Sequence, residues 1–189
     1  MSTEILPASM TVEEFLALPE NGMDRELIRG ELRERPMTKR NRFHAESEAA
    51  IATLVRNWAV TQLLPHGKVY SGEVGCILPL EQATNVGIDV AYFSAETVAQ
   101  QTDATTMLQG APVLAVEILS PSDKHEEITE KVDVYLNSGV KLVWIVDPHF
   151  KTVTIHRNDS APQLFNIEQQ ISGEPFILGL PFAVNELFD

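Results

Sequence analysis

Apolar positions along the chain recur at two spacings, and the switches between them lay out the elements. Thr11 followed by Glu13 and Glu14 marks a helix start, and the short helix it opens ends before Pro19. Asn21-Gly22 is a turn signal. Glu26-Leu27-Ile28 and the run Glu31 to Glu34 flank Arg29-Gly30 and read as a tight hairpin, closed by Pro36. Ile51, Leu54, Val55 and Trp58 recur at three- and four-residue spacing, which predicts an amphipathic helix over 42–63, stopped by Pro65 and Gly67. Strands are expected at about 68–79 and 86–93, followed by a polar stretch, 94–109, of mixed helix and loop. The run from Val113 to Leu119, between Pro112 and Pro121, has the length and composition of a buried strand. Ile128, Val132, Tyr135 and Leu136 put a second amphipathic helix at about 124–138, ended by Gly139. Another buried strand at 142–146, an alternating strand at 151–157, a strand near 162–168 and an apolar tail, 176–188, complete the order. It predicts an α/β (α+β) fold, a mixed sheet with helices on its faces.

Composition narrows this picture. A chain of 189 residues and 21.0 kDa, 44% hydrophobic and 22% charged, suits one domain over 1–189 with one core. One cysteine, Cys76, excludes an internal disulfide and a cysteine-based zinc cluster. No apolar run approaches the ~18 residues of a membrane span. Met1-Ser2-Thr3-Glu4 has no basic region before a long apolar run, so no secretory leader is expected and the cytoplasm is the expected location.

Charge separates the chain into two parts. The net charge is −13 and the pI about 4.7, which argues against bulk attraction to nucleic acid. Yet residues 25–42 hold seven of the fourteen cations (Arg25, Arg29, Arg33, Arg35, Lys39, Arg40 and Arg42) against three glutamates. That window is +4 and the remainder about −17. A basic arm on an acidic body could touch phosphates locally; a solvated hairpin face would give the same run.

Many chemistries lack their motifs. There is no phosphate-cradling glycine loop, no dinucleotide fingerprint, no nucleophile elbow, and no metalloprotease spacing among histidines 44, 66, 125, 149 and 156. Two carboxylates stand out instead. Asp89 and Glu117 each interrupt an apolar strand, where a lone charge is costly unless paired, hydrogen-bonded, at a strand end or bound to metal. Alternation puts Glu117 on the face of Ala115 and Leu119. If that face opens into a cleft, the pair could hold one Mg²⁺; the alternative is a strand-end carboxylate capping the next helix. Lys131 falls at the edge of the apolar face of its helix, on one line with Lys124. It could reach a metal-bound phosphate, or its stem could snorkel toward water.

At these residues the sequence resembles the Uma2 family of bacterial endonucleases, once a domain of unknown function, within the restriction-endonuclease-like PD-(D/E)XK superfamily. The likeness spans roughly residues 10–185. It runs through Glu26-Leu27-Ile28-Arg29-Gly30-Glu31-Leu32, His44, Glu73-Val74-Gly75 and Gly87-Ile88-Asp89-Val90-Ala91. It continues through Gly110-Ala111-Pro112, Val116 to Ser122, Lys131, Tyr135, Gly139-Val140 and Leu142 to Pro148. The resemblance implies a metal-dependent nuclease, with Asp89, Glu117 and the Ile118 carbonyl around Mg²⁺ or Mn²⁺ and Lys131 on the phosphate or the attacking water. The superfamily pattern carries its lysine two residues after the glutamate, where this chain has Leu119; Lys131 on the next helix is the implied substitute. Ile88 stands where that pattern usually has proline.

Second-tier candidates are His44, Glu48 (or Glu46) on the first long helix, Glu73, Glu26 and Glu31, with Arg40, Arg42 and Lys124 as phosphate contacts. His44 could equally be a helix cap, and Glu31 could simply pair with the neighbouring arginines. The expected partner is nucleic acid, DNA in the first instance, met by a homodimer and away from membranes. Two other readings are open: a nuclease-fold module that binds nucleic acid or protein without cutting, and an interaction protein that docks through the tail 176–188.

Overall fold

A computed structural model describes residues 9–188; the N-terminal tetrapeptide read for a leader lies outside them. Thr11 and Glu14 close a reciprocal capping box on α1 (Val12–Leu16). The strands β1 (Met23–Ile28) and β2 (Glu31–Pro36) form the expected hairpin. Its two turn residues, Arg29 (φ 52°) and Gly30 (φ 80°), both take the left-handed conformation that a twisted two-residue hairpin turn needs. The long helix is α2 (Arg42–Ala59), capped by the Asn41 side chain. It stops four residues short of the predicted end because its buried stripe, Ile51, Val55 and Ala59, runs out there; Leu63 is 92% exposed.

A mixed sheet follows, in the order β2-β1-β4-β6-β7-β8-β9, with β3 and then β5 attached beside β4. Its members are β3 (Lys68–Ile77), β4 (Asn85–Phe93), β5 (Leu108–Gln109), β6 (Leu114–Ile118), β7 (Leu142–Asp147), β8 (Thr152–Arg157) and β9 (Ser160–Asn166). Helix α3 (Ala95–Ala99) leaves β4, and α4 (His125–Asn137) joins β6 to its parallel neighbour β7. The helices α2 and α4 cover opposite faces. Ile51 and Val55 pack with Val116, Ile118 and Trp144, while Val132 and Tyr135 pack with Ala115, Val143 and Ile145. Thus β6 and β7 are buried on both sides, which explains their nearly unbroken apolar runs.

The tail departs from the expectation of a docking surface. It forms a separate hairpin, β10 (Gln170–Gly173) with β11 (Ile177–Ala183), followed by a 3-10 turn (Val184–Leu187). Ile177, Leu180, Phe182, Val184 and Leu187 enter the α2-side core, where Phe182 meets Trp144 edge-on at 5.4 Å. Its apolar pattern reflects this chain's own interior. No helix among the described residues is long and apolar enough to cross a membrane.

Candidate active site

The site lies where one edge of β4 loses its backbone partner. On that edge β6 pairs with Val90 to Tyr92, and β1 pairs only at Asn85. Between them the strands part, and side chains replace the ladder. The Gly87 N–H donates to Glu26 Oε1 at 3.1 Å, and the Gly87 carbonyl accepts from Lys131 Nζ at 3.0 Å. The Ile118 N–H donates to Asp89 Oδ2 at 2.8 Å. Buried backbone groups must find partners, so the parting of β4 and β6 draws these side chains to the gap. Extending the β4–β6 register by one pair sets Asp89 opposite Glu117.

On the other edge of β4, Asp89 faces a bulge in β3. The register jumps from Ser71–Val90 to Val74–Ile88, leaving Gly72 (φ 92°) and Glu73 (φ 54°) without strand partners. A bulge of this kind re-aims side chains beside a site. Glu73 is aimed into the cleft, where it pairs with Arg40.

The cleft holds about 140 Å³ and is lined by Glu26, Glu73, Asp89, Glu117, Lys131, Arg33, Arg35 and Arg40, among others. Glu117 is buried, with both oxygens engaged: Tyr135 donates to Oε1 at 2.5 Å and Lys131 to Oε2 at 2.9 Å. Burial pushes its carboxyl up to about 7; Lys131 opposes the rise and Asp89 adds to it. Burial works against the Lys131 charge, but Glu117 and Glu26, the latter 3.1 Å away, outweigh it and keep the ammonium protonated. Burial would likewise raise Glu26, yet Lys131 and Arg35 hold it below its ordinary value. Asp89 is also lowered, because His44, the Ile118 N–H and Lys131 together exceed the effect of burial.

The sequence candidates separate clearly. Asp89, Glu117, Lys131, Glu73 and Arg40 line one cleft. His44 and Glu48 reach Asp89 from α2: His44 Nε2 is 3.2 Å from Asp89 Oδ2, and Nδ1 is 3.8 Å from Glu48. His44 is buried and Asn41 is the cap, so the reading of His44 as a capping or surface group is corrected. Glu31, Arg42 and Lys124 lie outside the cleft. Glu31 is 3.6 Å from Arg33, Arg42 stacks on Phe43 at 4.5 Å, and exposed Lys124 bonds Glu127 one turn along α4. Sequence analysis gives Tyr135 a place in the core and in the family resemblance but no role at the site. Its spacing of four from Lys131, which sets both on one helical face, was the available signal.

A family model described as "Uma2: Putative restriction endonuclease" matches residues 12–185. Among solved structures, one described as a putative nuclease belonging to DUF820, from Anabaena variabilis, is 21% identical with a TM-score of 0.77, covering 95% of this chain and 97% of that one. No curated protein matches the chain.

Proposed function

The chain belongs to the Uma2 family, and from that premise we propose that it is a divalent-metal-dependent endonuclease that hydrolyses phosphodiester bonds of DNA. The observation that carries the reading is the meeting of Asp89, Glu117 and Lys131 where β4 and β6 part. Two buried carboxylates beside one buried ammonium are expensive as scaffolding, since an apolar trio would fill the same space at lower cost.

The donors suit a hard cation. Asp89 Oδ1 faces Arg40 at 3.9 Å and has no hydrogen bond among the described residues, and each Glu117 oxygen keeps a lone pair beyond its one hydrogen bond. Asp89 and Glu117 would therefore hold Mg²⁺ or Mn²⁺. When bound, such an ion supplies Lewis-acid polarisation of the phosphodiester and a more acidic water. Lys131 presents fixed positive charge toward the phosphate and fixes the Glu117 carboxylate, which Tyr135 orients from the other side. Arg40, one-third exposed at the cleft, is suited to the DNA backbone. A homodimer acting in the cytoplasm fits this reading, because two-fold symmetry suits cutting both strands.

A second reading is a module that binds nucleic acid or a protein without cutting it. It is favoured by the engagement of Lys131 with three acceptors, Glu117, Glu26 and the Gly87 carbonyl, which leaves its ammonium less free for a phosphate.

Supercoiled plasmid incubated with Mg²⁺, Mn²⁺ or EDTA tests the proposal, using the native chain, Asp89→Ala and Glu117→Ala. Nicking that needs the metal and disappears in both variants supports it. Nicking that is absent, or unchanged in the variants, leaves the binding module as the reading.

A further inference from the structure

His44 is 1% exposed in the first turn of α2, and neither imidazole nitrogen has an aligned hydrogen-bond partner among the described residues. Its Nε2 stands 3.2 Å from Asp89 Oδ2 without hydrogen-bond alignment. Leaving a buried polar group unpaired is costly, so such a group calls for a reason.

The surroundings supply one. Ligand atoms of His44, Glu48 and Asp89 all lie within 4.8 Å of one another. Three donors on one ion at about 2.1 Å each stand roughly 3.0–3.6 Å apart, so closure by up to about an ångström would let all three grip one ion. Two carboxylates thus crowd one imidazole. Glu48 retains 18% exposure, which opens the cluster to solvent on one side.

We propose that His44, Glu48 and Asp89 form a second cation position, on the α2 side of Asp89, that takes a first-row transition ion in preference to Mg²⁺. The discrimination comes from the nitrogen donor. Mg²⁺ prefers oxygen ligands and gives up its waters reluctantly, whereas imidazole suits the later first-row ions. The position shares Asp89 with the proposed cleft site but uses neither Glu117 nor Lys131, so the two proposals can fail separately.

Co²⁺ is the probe, titrated into the full chain and followed by its visible absorption, with Mg²⁺ as competitor. The native chain is expected to bind Co²⁺ and to resist displacement by Mg²⁺ in large excess. His44→Ala and Glu48→Gln should each weaken Co²⁺ binding about tenfold or more, at least what the loss of an outer-sphere partner typically costs. Glu117→Gln should leave in place the bands that are lost in His44→Ala. Co²⁺ affinity and bands unchanged in His44→Ala would overturn the proposal, as would displacement by Mg²⁺ at equal concentration. If His44→Ala does not fold, pulsed EPR of the native chain with Mn²⁺ decides: ¹⁴N coupling that vanishes in Glu48→Gln supports the position, and no ¹⁴N coupling overturns it. Plasmid nicking lost in Asp89→Ala, with Co²⁺ binding indifferent to His44, would sink this position alone. Co²⁺ held through His44 without any nicking would sink the nuclease alone.

Discussion

Lys131 of α4 donates to Glu117 of β6 at 2.9 Å and stands 3.1 Å from Glu26 of β1, so a helix, the strand before it and the distant first hairpin meet at one ammonium. At position 119, where the superfamily pattern has its lysine, Leu119 packs on the α4-side core instead. A lysine reaches the cleft from α4 instead. Lys131→Met would leave two buried carboxylates without their shared cation, and breaking a buried pair this way costs about 3–5 kcal/mol. The expected fall in Tm is roughly 10 °C, read by thermal melting. Cleavage should fall about 10²–10³-fold, the usual cost of losing one donor to developing charge. An unchanged melt would mean that the ammonium does not hold these carboxylates in place.

Glu117 also predicts a pH dependence of stability. Its carboxyl is raised to about 7 in the folded chain against an ordinary 4.5, so the folded state binds more protons between those values. The stability it contributes is present below about 4.5 and is lost as pH rises through about 7. Urea unfolding at pH 5 and pH 8 should show the native chain losing on the order of 1–3 kcal/mol more over that interval than Glu117→Gln. The slope with pH is the reading, because the variant also loses its Lys131 partner at every pH. Parallel slopes would remove Glu117 as the titrating group.

The Tyr135 hydroxyl, 2.5 Å from Glu117 Oε1, favours the ionised carboxylate. Tyr135→Phe keeps the ring in the core and removes that bond, so the Glu117 carboxyl should rise further. Nicking that needs ionised Glu117 should then reach half-maximum at a higher pH than in the native chain. A lower rate with an unmoved pH midpoint would assign Tyr135 to packing alone.

How much of this was legible follows from which interactions are local. The amphipathic stripes of α2 and α4 and the doubly buried β6 and β7 declare themselves through spacing and apolar runs. Asp89 and Glu117 stood out because a carboxylate inside such a run needs an explanation. The β3 bulge was not legible, since its cause is a register jump against β4 and Gly72-Glu73 resembles an ordinary strand interruption. The tail leaves a docking reading open in sequence because apolar residues that finish a core and residues that dock a partner share one composition; only the fold shows Phe182 against Trp144. His44 had no local signature, for its meaning depends on Asp89, which is 45 positions away in sequence and 3.2 Å away in space.

The basic run over 25–42 resolves into two kinds of arginine, and this gives a final test. Arg25 is tied to Glu34, Arg29 to Asp133, Arg33 to Glu130, and Arg35 to Asp24 and Glu26. Arg33 grips Glu130 through two bonds of 2.5 and 2.9 Å, which raise its pKa and pin the hairpin to α4. Arg40 is paired as well, with Glu73, but unlike Arg33 and Arg35 it also stands 3.9 Å from Asp89, the carboxylate proposed to hold the metal beside the phosphate. Each phosphate contact adds about 0.9 to the slope of log affinity against log salt on duplex DNA. Arg40→Ala should therefore lower that slope by about one, measured by fluorescence anisotropy with a labelled duplex. Arg33→Ala should leave the slope alone and cost about 1 kcal/mol or less in stability, since the pair is one-third exposed and screened by solvent. Equal losses of slope in both variants would mean that the hairpin face meets phosphates directly, with its internal pairs exchanged for DNA on binding.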